Sequence, residues 1–108
     1  MTTLDELVAA VTAGVQTGDW TAYLSAFADD ATLEFPGVPA GPFRGRDAIR
    51  EAYEASPPDD TIEVVGAEDD ATDERTVRFR WQRTGATGTM RRRLDGDGRI
   101  VHLVVTFD

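Results

Sequence analysis

The chain has no cysteine, no lysine and no asparagine, and His102 is its only histidine. Without cysteine there can be no disulfide, no thiolate metal site and no cysteine nucleophile. One imidazole cannot supply the several histidine ligands of a catalytic zinc site. Serine occurs only as Ser25 and Ser56, neither in a Gly-x-Ser-x-Gly turn, so no serine hydrolase signature is present. A phosphate-binding glycine loop is also missing. No apolar run approaches the roughly 18 residues that span a bilayer, and no secretory signal is visible. Basic charge is scarce: 11 arginines stand against 20 acidic residues, a net charge of −9. Nucleic-acid phosphates and anionic membrane surfaces would be repelled, so neither is an expected partner. The expectation is a soluble, cytoplasmic protein with no cofactor and no metal. The absence of lysine and asparagine reads as coding bias, without functional content.

What is present suffices for one domain, residues 1–108. A chain of this length buries roughly 65% of its unfolded surface, and 41% of its residues are hydrophobic. Thr3-Leu4-Asp5-Glu6 fits a capping box, and Leu4, Leu7, Val8, Val11 and Val15 then recur at helical spacing. Gly18 ends that helix and Asp19 caps a second, expected over 20–28 with the stripe Trp20, Tyr23, Leu24 and Phe27. Asp29-Asp30-Ala31 reads as a turn and 32–35 as a short strand. Prolines and glycines make 36–42 a loop, 46–55 a third helix, and Ser56-Pro57-Pro58 its end.

The period then changes from 3.6 to 2. Strands are expected over 61–67, 75–84, 89–94 and 99–107, with an acidic turn at 68–74 and another turn at Gly85 to Gly88. Val77, Phe79 and Trp81 alternate with Arg78, Arg80 and Gln82; Met90, Arg92 and Leu94 alternate with Arg91 and Arg93. Asp95-Gly96-Asp97-Gly98 is a hairpin signal. It lacks the sixth-position Gly and twelfth-position Glu of an EF-hand loop, so calcium is not expected. In the last strand Val101, Leu103, Val105 and Phe107 form one apolar face, while Ile100, His102, Val104 and Thr106 form a mostly apolar second one. A strand apolar on both sides is usually covered on both. A homodimer through the outer sheet face is therefore expected.

Helices first and a meander after give an α+β domain. The order of elements resembles the nuclear transport factor 2-like superfamily, in its SnoaL-like and ketosteroid-isomerase-like branch. The resemblance rests on Gly18-Asp19-Trp20, the run from Phe27 through Asp29-Asp30-Ala31-Thr32 to Glu34, Phe43-Arg44-Gly45-Arg46-Asp47-Ala48-Ile49, Asp97-Gly98-Arg99-Ile100 and the final Phe107-Asp108. It implies a cone: a curled antiparallel sheet wrapped around the N-terminal helices, enclosing a pocket, often dimeric through the outer sheet face. It does not imply one function, because the scaffold hosts isomerases, cyclases, epoxide hydrolases, dehydratases and non-catalytic binders. In the ketosteroid isomerases the general base follows the Glu of the Asp-Asp-Ala-Thr-x-Glu run; here that position is Phe35. The oxyanion-hole tyrosine and the protonated Asp fall on Val11 and Met90. Phe, Val and Met can neither move a proton nor hold an enolate, so ketosteroid isomerase activity is excluded. The Asp-Arg-Asp constellation of limonene epoxide hydrolases is not recognisable.

If the alternation holds, Trp20, Phe27, Phe35, Phe43, Phe79, Trp81, Met90, Leu103, Val105 and Phe107 point into the cone, with Tyr23, Tyr53 and Arg92 as polar exceptions. Tyr53 matches a pocket tyrosine of the isomerases and could donate to a ligand carbonyl. Arg92 needs an acceptor: a ligand carboxylate, or an internal acid such as Glu34 or Asp30. Asp29 or Asp30 could be an acid catalyst or simply a turn cap. His102 tempts a general-base reading, but its alternation class is the outer face. Arg78, Arg80, Arg91 and Arg93 form a basic patch there, explained by cross-strand acids such as Glu63 or by an anionic partner. Three functions follow. The first is binding of a small apolar ligand whose carbonyl or carboxylate faces Tyr53 and Arg92. The second is an isomerase, cyclase or lyase using Tyr53 and Asp30 as proton carriers and Arg92 as stabiliser. The third is a ligand-free dimeric scaffold.

Overall fold

In the computed structural model, which describes residues 4–37, 41–55, 57–58, 60–68 and 74–108, α1 runs over Leu4–Thr17 and buries Leu7, Ala10, Val11 and Gly14. Gly18, at φ +78°, ends it. The capping residue Thr3, the helix stop at Ser56 and most of the acidic turn (69–73) lie outside the described residues. Gly14 is small for a reason the apolar stripe does not show: a Cβ there would meet the Trp20 ring at 2.3 Å.

The second helix is much shorter than its stripe predicts. α2 spans only Thr21–Leu24, with the Thr21 N–H donating to Asp19 Oδ1 at 3.0 Å. The stripe residues are all buried as expected. The backbone, however, leaves the helix because the Ile100 N–H takes the Ala26 carbonyl at 2.8 Å. The chain therefore runs straight into β1 (Phe27–Glu34), and Asp29 and Asp30 belong to a strand instead of a turn. Tertiary pairing has overridden local periodicity.

After β2 (Phe43–Arg44) and α3 (Arg46–Ala55) come β3 (Ile62–Glu68), β4 (Glu74–Trp81), β5 (Thr87–Leu94) and β6 (Ile100–Phe107). They make one six-stranded sheet in the order β2-β1-β6-β5-β4-β3. The β3 to β6 meander is antiparallel, but β1 lies parallel to β6, so the sheet is mixed where an all-antiparallel one was expected. The hairpin between β5 and β6 closes as its sequence demands: Asp95 Oδ1 accepts from the Asp97 and Arg99 N–H groups, and Gly98 sits at φ +80°. Gly88 is part of β5, beneath the Phe79 ring, and not part of the preceding turn. No helix among the described residues is long and apolar enough to cross a membrane.

The curled sheet has a buried inner face that holds the core and an exposed outer one. Ala31, Leu33, Leu103, Val105, Met90, Val77, Phe79 and Ile62 line the inner face and pack on α1, α2 and α3. A bulge corrects the reading of the last strand. Arg93 pairs with His102 but Leu94 pairs with Ile100, leaving Val101 as the extra residue. Ile100 is thereby turned inward and is 2% exposed. The outer face of β6 consists of His102, Val104 and Thr106, so the apolar case for a covering second copy rests on Val104, a half-buried residue among charged neighbours.

Candidate functional site

A cavity of about 200 Å³ opens between the inner sheet face and the helices. Its walls are Val11, Tyr23, Phe35, Tyr53, Pro58, Ile62, Phe79, Trp81, Met90, Val105 and Phe107. At one side Phe35 and Phe107 lie parallel, their ring centroids 6.2 Å apart and 4° from coplanar. Phe107 is 47% exposed. Phe79 meets Phe107 and Trp81 edge-on. It can lie flat across β5 because Gly88 has no Cβ; one would stand 2.5 Å from the ring.

Polarity enters the cavity through two phenols. Tyr23 comes from α2 and Tyr53 from the last turn of α3, and their hydroxyls are hydrogen-bonded at 2.7 Å. Trp20 packs under both rings, 5.6 Å from Tyr23 and 4.9 Å from Tyr53. This Trp20 platform stands on Gly14. The start of α3 is fixed by Arg46, which donates to the Phe27 carbonyl and pairs with Asp29 at 3.1 Å. The register of α3 and the bend out of α2 together bring the two phenols into contact.

Burial shapes their acidity. It pushes Tyr53 up to about 12, against the opposing effect of the Tyr23 hydrogen bond. Burial, and then the neighbouring Tyr53 oxygen, push Tyr23 well above the ordinary phenol value. Both phenols are protonated at neutral pH. Two hydroxyls carry two protons; one is used between them, and the other can be donated to an acceptor in the cavity.

The remaining expected site residues lie elsewhere. Trp20, Phe27 and Leu103 are packed core beside the cavity, and Phe43 packs against Phe35 behind its wall. Asp30 is solvent-exposed on β1, outside the lining. Arg92 is buried, 7% exposed, but does not line the cavity either, and its side chain is engaged within the protein. Glu34 hydrogen-bonds His102 on the outer face instead of reaching Arg92. Tyr53 is thus brought together with Tyr23, while Asp30 and Arg92 are not brought to it. Pro58 and Ile62 are wall residues with no signal in the sequence, since their approach depends on how the chain turns after α3.

The pattern of the SnoaL-like domain matches residues 8–107 of the sequence. The chain belongs to the SnoaL-like domain family. Solved SnoaL-like folds agree with this. A SnoaL-like protein of unknown function from Burkholderia thailandensis superposes with a TM-score of 0.79 at 20% identity, covering 96% of this chain and 90% of that one. A candidate polyketide cyclase from Sinorhizobium meliloti gives 0.70 at 24% identity, covering 92% of each chain. The epoxide hydrolase/cyclase-like enzyme SalBIII, which acts in pyran-ring formation in the polyether salinomycin, gives 0.70 at 23%, covering 96% and 89%. At these identities the shared property is the fold. No curated protein matches the chain in sequence. Within this SnoaL-like domain, Phe35, Val11 and Met90 all line the cavity. These are the positions that the sequence resemblance assigns to the ketosteroid isomerase machinery. The cavity wall is therefore apolar where that chemistry needs a base and two donors.

Proposed function

We propose that this SnoaL-like domain binds a small, largely apolar molecule carrying one carbonyl oxygen, which accepts a hydrogen bond from the Tyr23–Tyr53 pair. One observation carries the reading: among the described residues, an otherwise aliphatic and aromatic wall holds, besides the indole of Trp81, two hydrogen-bonded phenols with one donatable proton left over. A buried donor without an acceptor costs free energy, and a ligand carbonyl relieves it. A volume of about 200 Å³ lies below the usual ligand pocket of about 300 Å³ or more, which restricts the ligand to a compact ring or short-chain ketone. A carboxylate is disfavoured, because Arg92 does not face the cavity and an unpaired anion in an apolar site is costly.

Binding ranks above proton-transfer catalysis. Among the described residues no carboxylate or imidazole lines the cavity, and a phenol at about 12 is a poor base at neutral pH. A second reading is favoured by the same pair: two neutral phenols can polarise a carbonyl toward ring closure by a nucleophile within the substrate itself, as a cyclase would.

The test is ligand titration followed by tryptophan fluorescence, since Trp20 and Trp81 flank the phenols and the cavity. Acetophenone is expected to bind roughly tenfold tighter than ethylbenzene, the worth of about one hydrogen bond. Tyr53→Phe should abolish that preference. Equal affinity for both probes in the wild type, or saturation by neither, would overturn the reading.

A further inference from the structure

The outer face of the sheet contains a second concavity of about 190 Å³, unrelated to the phenol cavity. Glu74, Arg75, Arg91, Arg92, Arg93, His102 and Val104 border it. The ladder explains the outer-face residues among them, while Arg75 and Arg92 pair in the intervening row of the opposite face. Glu74, Arg93 and His102 occupy one cross-strand row of β4, β5 and β6, and Thr76, Arg91 and Val104 the next. Side chains two apart on β5 stand on the same face, roughly 7 Å from one another.

The outer arginines are not equivalent. Arg80 is engaged by Glu63 and Arg78 by Asp108. His102 is engaged by Glu34. Arg91 and Arg93 are exposed and form no ion pair among the described residues. In a chain of net charge −9, two guanidiniums on one strand face that form no ion pair among the described residues stand out. Among the described residues Glu74, across the ladder from Arg93, is the only acid bordering the concavity, so the described lining is net cationic.

We propose that this concavity binds a phosphate group, either free or as a small phosphomonoester. The choice of anion follows from the forks. Each guanidinium can present two N–H donors to a pair of oxygens. A carboxylate has only two oxygens and is saturated by one fork. A tetrahedral phosphate exposes a third oxygen and a second negative charge, so it can engage Arg91 and Arg93 together while its ester substituent rests against Val104.

The sole histidine makes the test direct, because one imidazole resonance reports on the site. Wild-type protein is titrated at fixed ionic strength with inorganic phosphate, phenyl phosphate and acetate. The His102 resonance is followed by NMR. Phosphate should shift it saturably and acetate should not. Tighter binding of phenyl phosphate identifies an ester as the ligand; equal binding identifies free phosphate. Each of Arg91→Gln and Arg93→Gln should weaken phosphate binding roughly tenfold, the worth of one charge-assisted contact. Arg80→Gln, away from the concavity, should leave it unchanged. Both variant sites are solvent-exposed, so folding is retained, and circular dichroism checks this. Overturning results are an unsaturable shift, an equal response to acetate, or unaltered affinity in R91Q and R93Q. Sedimentation on the same samples adds one more: if binding vanishes as the chain self-associates, the face belongs to a second copy and the proposal fails.

Discussion

On β5, Met90 and Arg92 are buried while Arg91 and Arg93, each one residue away, stand in solvent. The two faces of the sheet differ accordingly. The inner one is dry and aromatic, with two phenols whose acidity burial has suppressed. The outer one is a lattice of exposed charges, mostly paired across strands. The same backbone ladder builds both, and pleating alone separates them. Inside, stability and site chemistry are coupled, because the side chains that form the wall also form the core. Outside, charges can be exchanged at little cost to the fold, so that face is freer to vary in function.

The contrast can be broken most forcefully from the inside. Phe79→Ala removes a ring that spans β5 toward Phe107, and should cost about 4 kcal/mol in urea unfolding. Gly14→Ala forces a methyl into the Trp20 ring and should cost about 2–3 kcal/mol, with Trp20 fluorescence altered. A loss under about 0.5 kcal/mol, as at an ordinary surface site, would mean that α1 and Trp20 are not packed as described.

Alkaline pH tests the phenol pair selectively, because the chain has no lysine or cysteine to titrate in the same range. Both tyrosines are raised in the folded protein, Tyr53 to about 12. The unfolded chain ionises near 10, so the stability they contribute is complete below that pH and is lost as pH rises from 10 toward 12. Tyrosinate absorbance should stay absent from native protein at pH 10 and appear only together with unfolding. Half-ionisation near pH 10 in still-folded protein would show the pair to be solvated.

Smaller effects sharpen the comparison. Tyr53→Phe leaves the Tyr23 hydroxyl without its partner and should cost about 1 kcal/mol. Arg80→Gln on the outer face breaks an exposed pair with Glu63 and should change stability by under about 0.5 kcal/mol. If the outer substitution cost as much as the inner one, the separation of the two faces would fail.

Much of the cavity was legible in advance. Tyr23, Phe35, Tyr53, Phe79, Trp81, Met90, Val105 and Phe107 follow from alternation and from the resemblance, and all line it. Arg92 was legible as a buried arginine but not by position, since facing inward does not specify which part of the interior a side chain reaches. Asp30, read either as an acid catalyst or as a turn cap, is an exposed strand residue outside the cavity lining.

Local sequence signals specify the α+β order, the third helix over Arg46–Ala55, the hairpin at Asp95 to Gly98 and the face of nearly every strand residue. These depend on local rules: a period of 3.6 or 2, a side-chain cap, a glycine at positive φ. Tertiary structure decided the early end of α2, the parallel join of β1 to β6, the inward turn of Ile100 and the meeting of Tyr23 with Tyr53. Each depends on a partner distant in the chain. The Ile100 N–H claims the Ala26 carbonyl, and one extra residue in β6 reverses a face. Local periodicity cannot encode such choices, because the competing backbone bonds exist only once the sheet has assembled.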